Sequence, residues 1–224
     1  MGQSNERDEL PDRDAAAHGG RRMASEAADF PRCSRLATLV GKLLLRLAGW
    51  RVQEPEYPGP KFILIAAPHT SNWDVYFMLA CGWTLGLTVC WIAKDSLFRF
   101  PLGGLMRWLG GIPVDRSKNQ NQVQAAAALF RDRPALIVAV APEGTRGKAE
   151  HWRSGFYYMA LEAHVPIGLG FLDYARKVGG IQGFYQPSGD IHADMTHFRE
   201  AYRDVRGKYP EKESPARLKD EVGS

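Results

Sequence analysis

The most constraining feature of this chain is a set of short, continuously apolar segments separated by stretches with helical periodicity. The segments are FILIAA (62–67), LTVCWIA (87–93), ALIVAV (135–140) and PIGLGF (166–171). Unbroken apolar runs of this length are typical of strands that are buried on both faces of a parallel sheet. Strands and helices therefore alternate along the chain. We predict an α/β layered fold with a mainly parallel central sheet flanked by helices, preceded by an amphipathic N-terminal helix.

The two ends of the chain contain few of the large apolar residues that a core requires. Residues 1–31 are rich in acids, and residues 207–224 are rich in charged residues. Segments of this kind bury too little apolar surface to offset the entropy lost on ordering. We predict disordered tails over residues 1–31 and 207–224, with a single domain over residues 32–206.

Charge and cysteine content narrow the functional classes. The 224 residues carry a formal net charge of +4, which favours an anionic partner without choosing among nucleic acid, a membrane surface and a phosphorylated substrate. The three cysteines are widely spaced and indicate neither a disulfide framework nor a metal site. A reducing cytoplasm fits this cysteine usage best.

Residues 32–52 predict an amphipathic helix that contains five bases and no acid. Its apolar positions recur at spacings of three and four and would share one face: Leu36, Leu39, Val40, Leu43, Leu44, Leu47 and Trp50. One interpretation places this face in an anionic lipid interface, with Trp50 at the boundary. The other packs the helix on the domain's own core and leaves a solvated basic edge.

The uncharged segment 75–93 is long enough to be considered as a membrane span. Glycine and threonine residues interrupt its middle, and its second half is rich in β-branched and aromatic residues. We therefore predict a short helix from about Asn72, a glycine-containing turn and a buried strand. The later segment KVGGIQGFYQPSG (177–189) predicts an edge strand.

The motif PHTSNWD places a histidine directly after the first apolar strand and a carboxylate five residues later. A neutral imidazole can accept a proton from a hydroxyl group, and a carboxylate can orient its ring. His69 and Asp74 can meet if His69 lies in the loop and Asp74 lies in the first turn of the following helix. The alternative is an ordinary loop histidine beside an acid in the first turn of a helix.

A second motif, APEGTRGK (141–148), follows another apolar strand. Its turn could present backbone N–H groups to an anion, and Arg146 would add a guanidinium fork that suits phosphate. Glu143 could order the loop or accept a hydrogen bond from a substrate hydroxyl. In GGIPVDRS (110–117), Arg116 could supply a further cation, as could Lys94 at the end of its strand. Each motif taken alone also fits an ordinary turn with a surface base.

Taken together, these motifs resemble the four ordered blocks of the glycerolipid acyltransferase family, to which the 1-acylglycerol-3-phosphate acyltransferases belong. The blocks are His-x4-Asp at 69–74, GIPVDR at 111–116, PEGTR at 142–146 and VPIGLGF at 165–171. They span roughly residues 60–175. The third block departs from the family pattern because Ala141 precedes it and Gly147 and Lys148 follow it, and these departures leave the acceptor lipid open.

The resemblance implies transfer of a fatty acyl group from acyl-CoA or acyl-carrier protein to a hydroxyl of a lysolipid, as in phospholipid biosynthesis. His69 would be the general base, and Asp74 would orient it. The residues that would hold the acceptor are Glu143, Gly144, Thr145, Arg146, Arg116 and Lys94. The family implies no metal and no prosthetic group. Because lysolipid acceptors reside in a bilayer, we also expect a position on the cytoplasmic face of the membrane, peripheral or monotopic.

Three alternatives stay open from the sequence alone. The acceptor could be an aminolipid or a glycolipid rather than a lysophospholipid. Water could replace the alcohol, which would give thioester hydrolysis. A non-catalytic membrane-binding protein that uses residues 32–52 would need neither His69 nor Asp74. Nucleic-acid binding would explain the positive charge but none of the four blocks.

Overall fold

A computed structural model of the chain describes residues 31–114 and 121–222. The helices are α1 (Arg35–Ala48), α2 (Trp73–Thr84), α3 (Gly103–Trp108), α4 (Asn121–Asp132), α5 (Gly155–Ala163) and α6 (Ile191–Tyr202). The strands are β1 (Arg51–Gln53), β2 (Lys61–Ala67), β3 (Cys90–Lys94), β4 (Gly111–Val114), β5 (Leu136–Val140), β6 (Ile167–Asp173) and β7 (Val178–Tyr185). Short 3-10 helices occupy Asp95–Phe98, Pro210–Lys212 and Lys219–Glu221.

The strands form one seven-stranded sheet in the order β1-β7-β6-β2-β5-β3-β4. Every neighbouring pair is parallel except β6 and β7, which are antiparallel. Strand β2 lies at the centre of the sheet, where Ile63 pairs with Ile167 of β6 on one side and with Val138 of β5 on the other. The predicted α/β fold with a mainly parallel sheet is confirmed.

Helices cover both faces of the sheet, which explains the continuous apolar runs. On one face, Ile63 and Ile65 of β2 pack in a cluster with Phe156 of α5 and Phe198 of α6. On the other face, Phe62 and Leu64 of the same strand join a second cluster with residues of β5 and β7. Because successive side chains of a strand point to opposite faces, a strand buried on both sides needs apolar residues at every position.

The N-terminal helix ends earlier than predicted. Gly49 has a φ of 73° and caps α1, and its backbone N–H donates to the carbonyl of Arg46. The turn directs Trp50 inward, where its ring stacks on Phe77 at 4.4 Å and lies 4.9 Å edge-on from Tyr174. Trp50 is only 8% exposed, so the prediction that it lies at a lipid boundary is wrong.

Strand β7, predicted as an edge strand, lies second from the edge. The three-residue strand β1 pairs in parallel beyond it, with Arg51 opposite Val178 and Gln53 opposite Gly180. Gly180 has a φ of 138°, and a Cβ atom there would lie 2.2 Å from the Gln53 carbonyl oxygen. The glycine therefore allows the two backbones to approach closely enough to pair.

Residues 207–222 pack against the domain, so the predicted disordered tail over 207–224 is wrong for these residues. Leu218 is 5% exposed and belongs to the main apolar cluster. The N–H of Trp152 donates to the carbonyl of Arg217 at 2.8 Å, and the N–H of Gly207 donates to Glu213 Oε1 at 2.7 Å. One buried leucine and these specific hydrogen bonds order a segment whose composition is otherwise polar.

Candidate active site

The polar motifs meet at the carboxyl ends of the three central strands. Pro68 and His69 follow β2, the turn at 141–144 follows β5, and Tyr174 follows β6. The carboxyl ends of parallel strands lie at the same edge of a sheet, which is where open α/β folds bind ligands. The strand order therefore brings together residues that are about 100 positions apart in the chain.

His69 lies in the loop after β2, and Asp74 lies in the first turn of α2, as the hypothesis of a paired histidine and aspartate requires. His69 Nδ1 is 3.2 Å from Asp74 Oδ2. The His69 side chain is 18% exposed and the Asp74 side chain 6%. This contact favours the tautomer that carries its proton on Nδ1, which leaves Nε2 free to accept a proton.

Asp74 is held by four donors. Its Oδ2 atom accepts from the backbone N–H groups of Thr70 and Ser71, both at 2.8 Å, in addition to the contact with His69. Its Oδ1 atom accepts from the Tyr174 hydroxyl at 2.7 Å. Burial raises the pKa of this carboxyl group, but the hydrogen bonds from His69, Tyr174 and the Ser71 backbone outweigh it, and the pKa lies below its ordinary value. Asp74 is therefore a fixed negative charge beside His69.

Tyr174 is a site residue that the sequence motifs do not indicate. Burial and the hydrogen bond to Asp74 raise the pKa of its phenol well above the ordinary value, so it remains a neutral donor. Its position directly after β6 is the one feature of the sequence that could have indicated a role in the site, because side chains at the carboxyl ends of central strands face the crevice.

Glu143 lies behind the His69 loop and is 4% exposed. Its Oε1 atom accepts from the backbone N–H of His69 at 3.0 Å, which ties the turn after β5 to the loop after β2. Its Oε2 atom is buried and has no hydrogen-bond partner among the described residues. Burial raises the pKa of Glu143 to about 7, although its hydrogen bonds act in the opposite direction. Of the two roles considered for Glu143, ordering the loop is the one these contacts support.

The rest of the PEGTR motif forms a tight, exposed turn. The N–H of Gly144 donates to the Ala141 carbonyl at 3.1 Å, and Gly144 has a φ of 66°. A Cβ atom on Gly144 would lie 2.6 Å from Arg153 Nε, so the turn needs glycine at this position. The Thr145 hydroxyl accepts from the N–H of Gly147 at 3.2 Å. Arg146 is exposed and lines a cleft beside the His69–Asp74 loop.

The side chains of two predicted cations lie outside the part of the chain that the structure describes. Arg116 lies outside the described residues. Lys94 is the last residue of β3, so its backbone lies at the same edge of the sheet as His69, but its side chain is outside the described part of the chain. Their proposed contacts with an acceptor stay predictions.

An apolar cavity of about 150 Å³ extends from His69 into the layer between α2 and the sheet. Val75, Met78 and Gly82 line it from α2, and Leu64 and Ile181 line it from the sheet. Leu85, Leu87 and Val89, from the connection between α2 and β3, also line it. His69 thus lines a space that suits a hydrocarbon chain.

Two further observations concern metals and membranes. In residues 31–114 and 121–222, no group of three or more histidine, cysteine, aspartate or glutamate side chains comes together that could hold a metal ion. None of the helices in these ranges combines the length and apolar character needed to cross a bilayer.

The fold and the site define an α/β domain in which a partly buried histidine and a buried aspartate together line an apolar cavity. The family model described as Acyltransferase matches residues 50–168, more than half of the chain. The chain therefore belongs to the acyltransferase family, which confirms the membership predicted from the motifs. The matched range includes His69, Asp74 and the PEGTR turn.

Two curated relatives are the 1-acyl-sn-glycerol-3-phosphate acyltransferases of Limnanthes douglasii and Limnanthes alba. Each is 28% identical to this chain over 145 residues, which cover 59% of this chain and 50% of the relative. The chain thus spans about half the length of these curated relatives. The crystal structure of the 1-acyl-sn-glycerophosphate (LPA) acyltransferase PlsC from Thermotoga maritima is similar with a TM-score of 0.49 and 18% identity, over 75% of this chain and 78% of that one.

Proposed function

We propose that this protein transfers a fatty acyl group from acyl-CoA or acyl-carrier protein to a hydroxyl of a lysolipid, with 1-acylglycerol-3-phosphate or a related lysophospholipid as acceptor. The observation that carries the proposal is the position of His69. Its Nδ1 atom faces the buried carboxylate of Asp74, and its ring lines an apolar cavity. The names of the two plant relatives support a glycerolipid acceptor.

The proposed chemistry is a direct attack of the acceptor on the thioester. His69 Nε2 takes the proton of the acceptor hydroxyl as its oxygen bonds to the thioester carbonyl carbon. The tetrahedral intermediate collapses, the C–S bond breaks, and the imidazolium returns the proton to the departing thiolate. Asp74 stabilises the imidazolium, which exists only between the two proton transfers. The acyl chain of the donor occupies the apolar cavity.

The membrane is the proposed location of the acceptor, and α1 is the proposed contact. Gly41 and Leu45 of α1 are buried, and a Cβ atom on Gly41 would lie 2.8 Å from the Ala80 carbonyl oxygen, so this side of α1 packs closely on α2. The other side leaves the leucines exposed: Leu36 72%, Leu39 65%, Leu43 57%, Leu44 49% and Leu47 77%. Such an apolar stripe together with bases suits the surface of an anionic membrane, on the cytoplasmic face.

An acyl-transfer assay tests the proposal. Purified protein is supplied with long-chain acyl-CoA or acyl-carrier protein and a panel of acceptors: lysophosphatidic acid, other lysophospholipids, an aminolipid and a glycolipid. We expect acylated product with lysophosphatidic acid or another lysophospholipid. Transfer to the aminolipid or glycolipid alone would contradict the proposed acceptor, and thioester consumption without any acylated lipid would indicate a hydrolase.

A further inference from the structure

The cleft that Arg146 lines is built from three parts of the chain. Its volume is about 300 Å³. Its lining residues are Thr70, Ser71, Asn72 and Trp73 from the His69–Asp74 loop, Arg146 from the PEGTR turn, and Tyr209 and Lys212 from the C-terminal segment. The last two residues belong to none of the four family blocks.

The C-terminal segment is fixed on the His69–Asp74 loop by close contacts. The backbone N–H of Tyr209 donates to Thr70 Oγ1 at 3.2 Å. Gly207 also lies against Thr70, because a Cβ atom at this glycine would be 2.9 Å from both Thr70 Cγ2 and Thr70 Oγ1. The backbone between them therefore runs directly over the loop that carries His69.

The same segment is also joined to the region after the PEGTR turn. The Ser214 hydroxyl accepts from the N–H of Ala149 at 2.8 Å, and the Arg217 carbonyl accepts from the N–H of Trp152 at 2.8 Å. Residues 207–217 thus bridge the two loops that carry the motifs. This bridge brings Lys212 to the cleft that Arg146 also lines.

The cleft is cationic. Lys212 Nζ lies 4.4 Å from the centre of the Tyr209 ring, and Lys208 Nζ lies 4.9 Å from the centre of the Trp73 ring. In the described part of the chain, no carboxylate oxygen lies within 4.0 Å of the charged nitrogens of Arg146, Lys208 or Lys212. Glu213 directly follows Lys212 in sequence. Its carboxylate accepts a hydrogen bond from the backbone N–H of Gly207 and is not paired with Lys212.

We propose that Lys212 and Arg146 together bind the phosphate of the acceptor, so that the C-terminal segment completes the acceptor site. The inference rests on the proposed function and deepens it. Arg146 offers a planar fork and Lys212 a point charge, and the two approach a phosphate from different chain segments. Thr70 and Ser71 line this cleft and directly follow His69 in sequence, so a phosphomonoester bound there would hold the acceptor beside the loop that carries the imidazole.

The phosphate could also belong to the bilayer rather than to the acceptor, so the test uses a monomeric probe without vesicles. Binding of 1-hexanoyl-lysophosphatidic acid, below its micelle concentration, is measured by titration calorimetry for the wild type and the variants Lys212→Ala, Lys212→Arg and Lys219→Ala. Lys219 is an exposed lysine in the same C-terminal segment, outside the cleft. Binding of 1-hexanoylglycerol, which lacks the phosphate, is measured in parallel.

We expect Lys212→Ala to weaken binding of the lysophosphatidic acid by about tenfold or more, which is the usual range for a hydrogen bond to a charged group. Lys212→Arg should retain most of the affinity, Lys219→Ala all of it, and binding of hexanoylglycerol should be the same in all four proteins. An unchanged Kd for Lys212→Ala, or an equal loss for both lipids, would overturn the inference. Weaker vesicle flotation with an unchanged Kd would also overturn it, because it assigns Lys212 to bilayer headgroups. Turnover by the wild type tests the proposed function separately from these affinities.

Discussion

At the scale of single residues, two of the buried aspartates, Asp74 and Asp194, each receive four hydrogen-bond donors but differ in which groups donate. Asp74 receives four donors, one of them His69. Asp194 also receives four, from the hydroxyls of Tyr157, Tyr185 and Ser188 and the backbone N–H of Ser188. Both carboxyl groups have a lowered pKa despite burial. Asp194 is thus a control for the structural cost of changing such a group.

Replacement of either aspartate by asparagine should destabilise the fold, because the amide places a donor against donors. A buried group left unsatisfied costs about 1–3 kcal/mol in the free energy of unfolding. Only Asp74→Asn should also lower kcat, by about a hundredfold or more, because it alone changes the orientation and charge stabilisation of His69. Denaturant unfolding and acyl-transfer kinetics per folded molecule separate the two effects. Equal kcat values for Asp74→Asn and Asp194→Asn would contradict the role assigned to Asp74.

Glu143 gives the stability of the protein a specific pH dependence. Its carboxyl group ionises near 4.5 in the unfolded chain and near 7 in the folded one, because burial raises the pKa. Between these values the folded state holds the extra proton, so its stabilising contribution is complete below pH 4.5 and declines as the pH rises to 7. The full difference is about 3 kcal/mol, since each pKa unit corresponds to roughly 1.4 kcal/mol.

Glu143→Gln keeps an acceptor for the N–H of His69 and removes the titration. We therefore expect the free energy of unfolding of the wild type to fall from pH 5 to pH 7.5 relative to that of the variant, as measured by urea unfolding. The lowered pKa of Asp74 acts in the opposite direction, and its contribution is lost only as the pH falls below about 4, outside this interval. Parallel curves for the two proteins would show that Glu143 does not titrate there.

At the scale of elements, α1 has one side that packs on the domain and one side that is exposed. Its narrow packing side contains Gly41 and Leu45, and its exposed side contains the leucine stripe. The interpretation that packs the helix on the domain is confirmed for the side that contains Gly41 and Leu45, although the exposed edge is apolar as well as basic. The interpretation that places the apolar face in a lipid interface stays a prediction. Truncation before residue 53 would remove the buried Trp50 and strand β1 as well, so point substitutions test the membrane contact better.

Substitution of Leu36, Leu43 and Leu47 together by glutamine should leave the fold intact and weaken flotation with anionic vesicles by roughly a hundredfold or more. Burial of a leucine side chain is worth about 1.5–3 kcal/mol, and these three are exposed in the protein alone. The matched control replaces Phe100, Leu102 and Leu105 by glutamine. These residues lie on or beside α3 and are 97%, 56% and 47% exposed. Loss of flotation in the control triple instead would move the membrane contact from α1 to α3.

At the scale of the whole molecule, the sequence predicted the elements well because the strongest local signals agree with the fold. The apolar runs fixed β2, β5 and β6, and the capping residues after Pro68 correctly placed a helix at Asp74. The uncharged segment 75–93 forms most of α2, a turn and most of β3, as its glycines and β-branched residues indicate. Two of the predicted site residues, His69 and Asp74, are in contact. The contact could be predicted because the sequence indicates both the end of the strand before His69 and the start of the helix that carries Asp74.

The remaining features depend on contacts between distant segments. Strand β1 has only three residues and is stabilised by pairing with β7, so no local pattern indicates it. Tyr174 reaches Asp74 across 100 residues of sequence. The C-terminal segment has the composition of a disordered tail and is ordered by Leu218 and by hydrogen bonds to Thr70, Ala149 and Trp152. Composition indicates only what a segment can bury on its own. The structure of β1, the position of Tyr174 and the order of the C-terminal segment depend on tertiary contacts instead.

The most direct test of the central claim is the single-turnover rate of acyl transfer to lysophosphatidic acid in the wild type, His69→Ala and His164→Asn. His164 is an exposed histidine at the end of α5 with a φ of 52°, a conformation that asparagine also tolerates. If His69 is the general base, His69→Ala should lose at least a thousandfold in rate while remaining folded at the assay temperature, and His164→Asn should match the wild type. A folded His69→Ala protein that retains a rate within about tenfold of the wild type would contradict the mechanism.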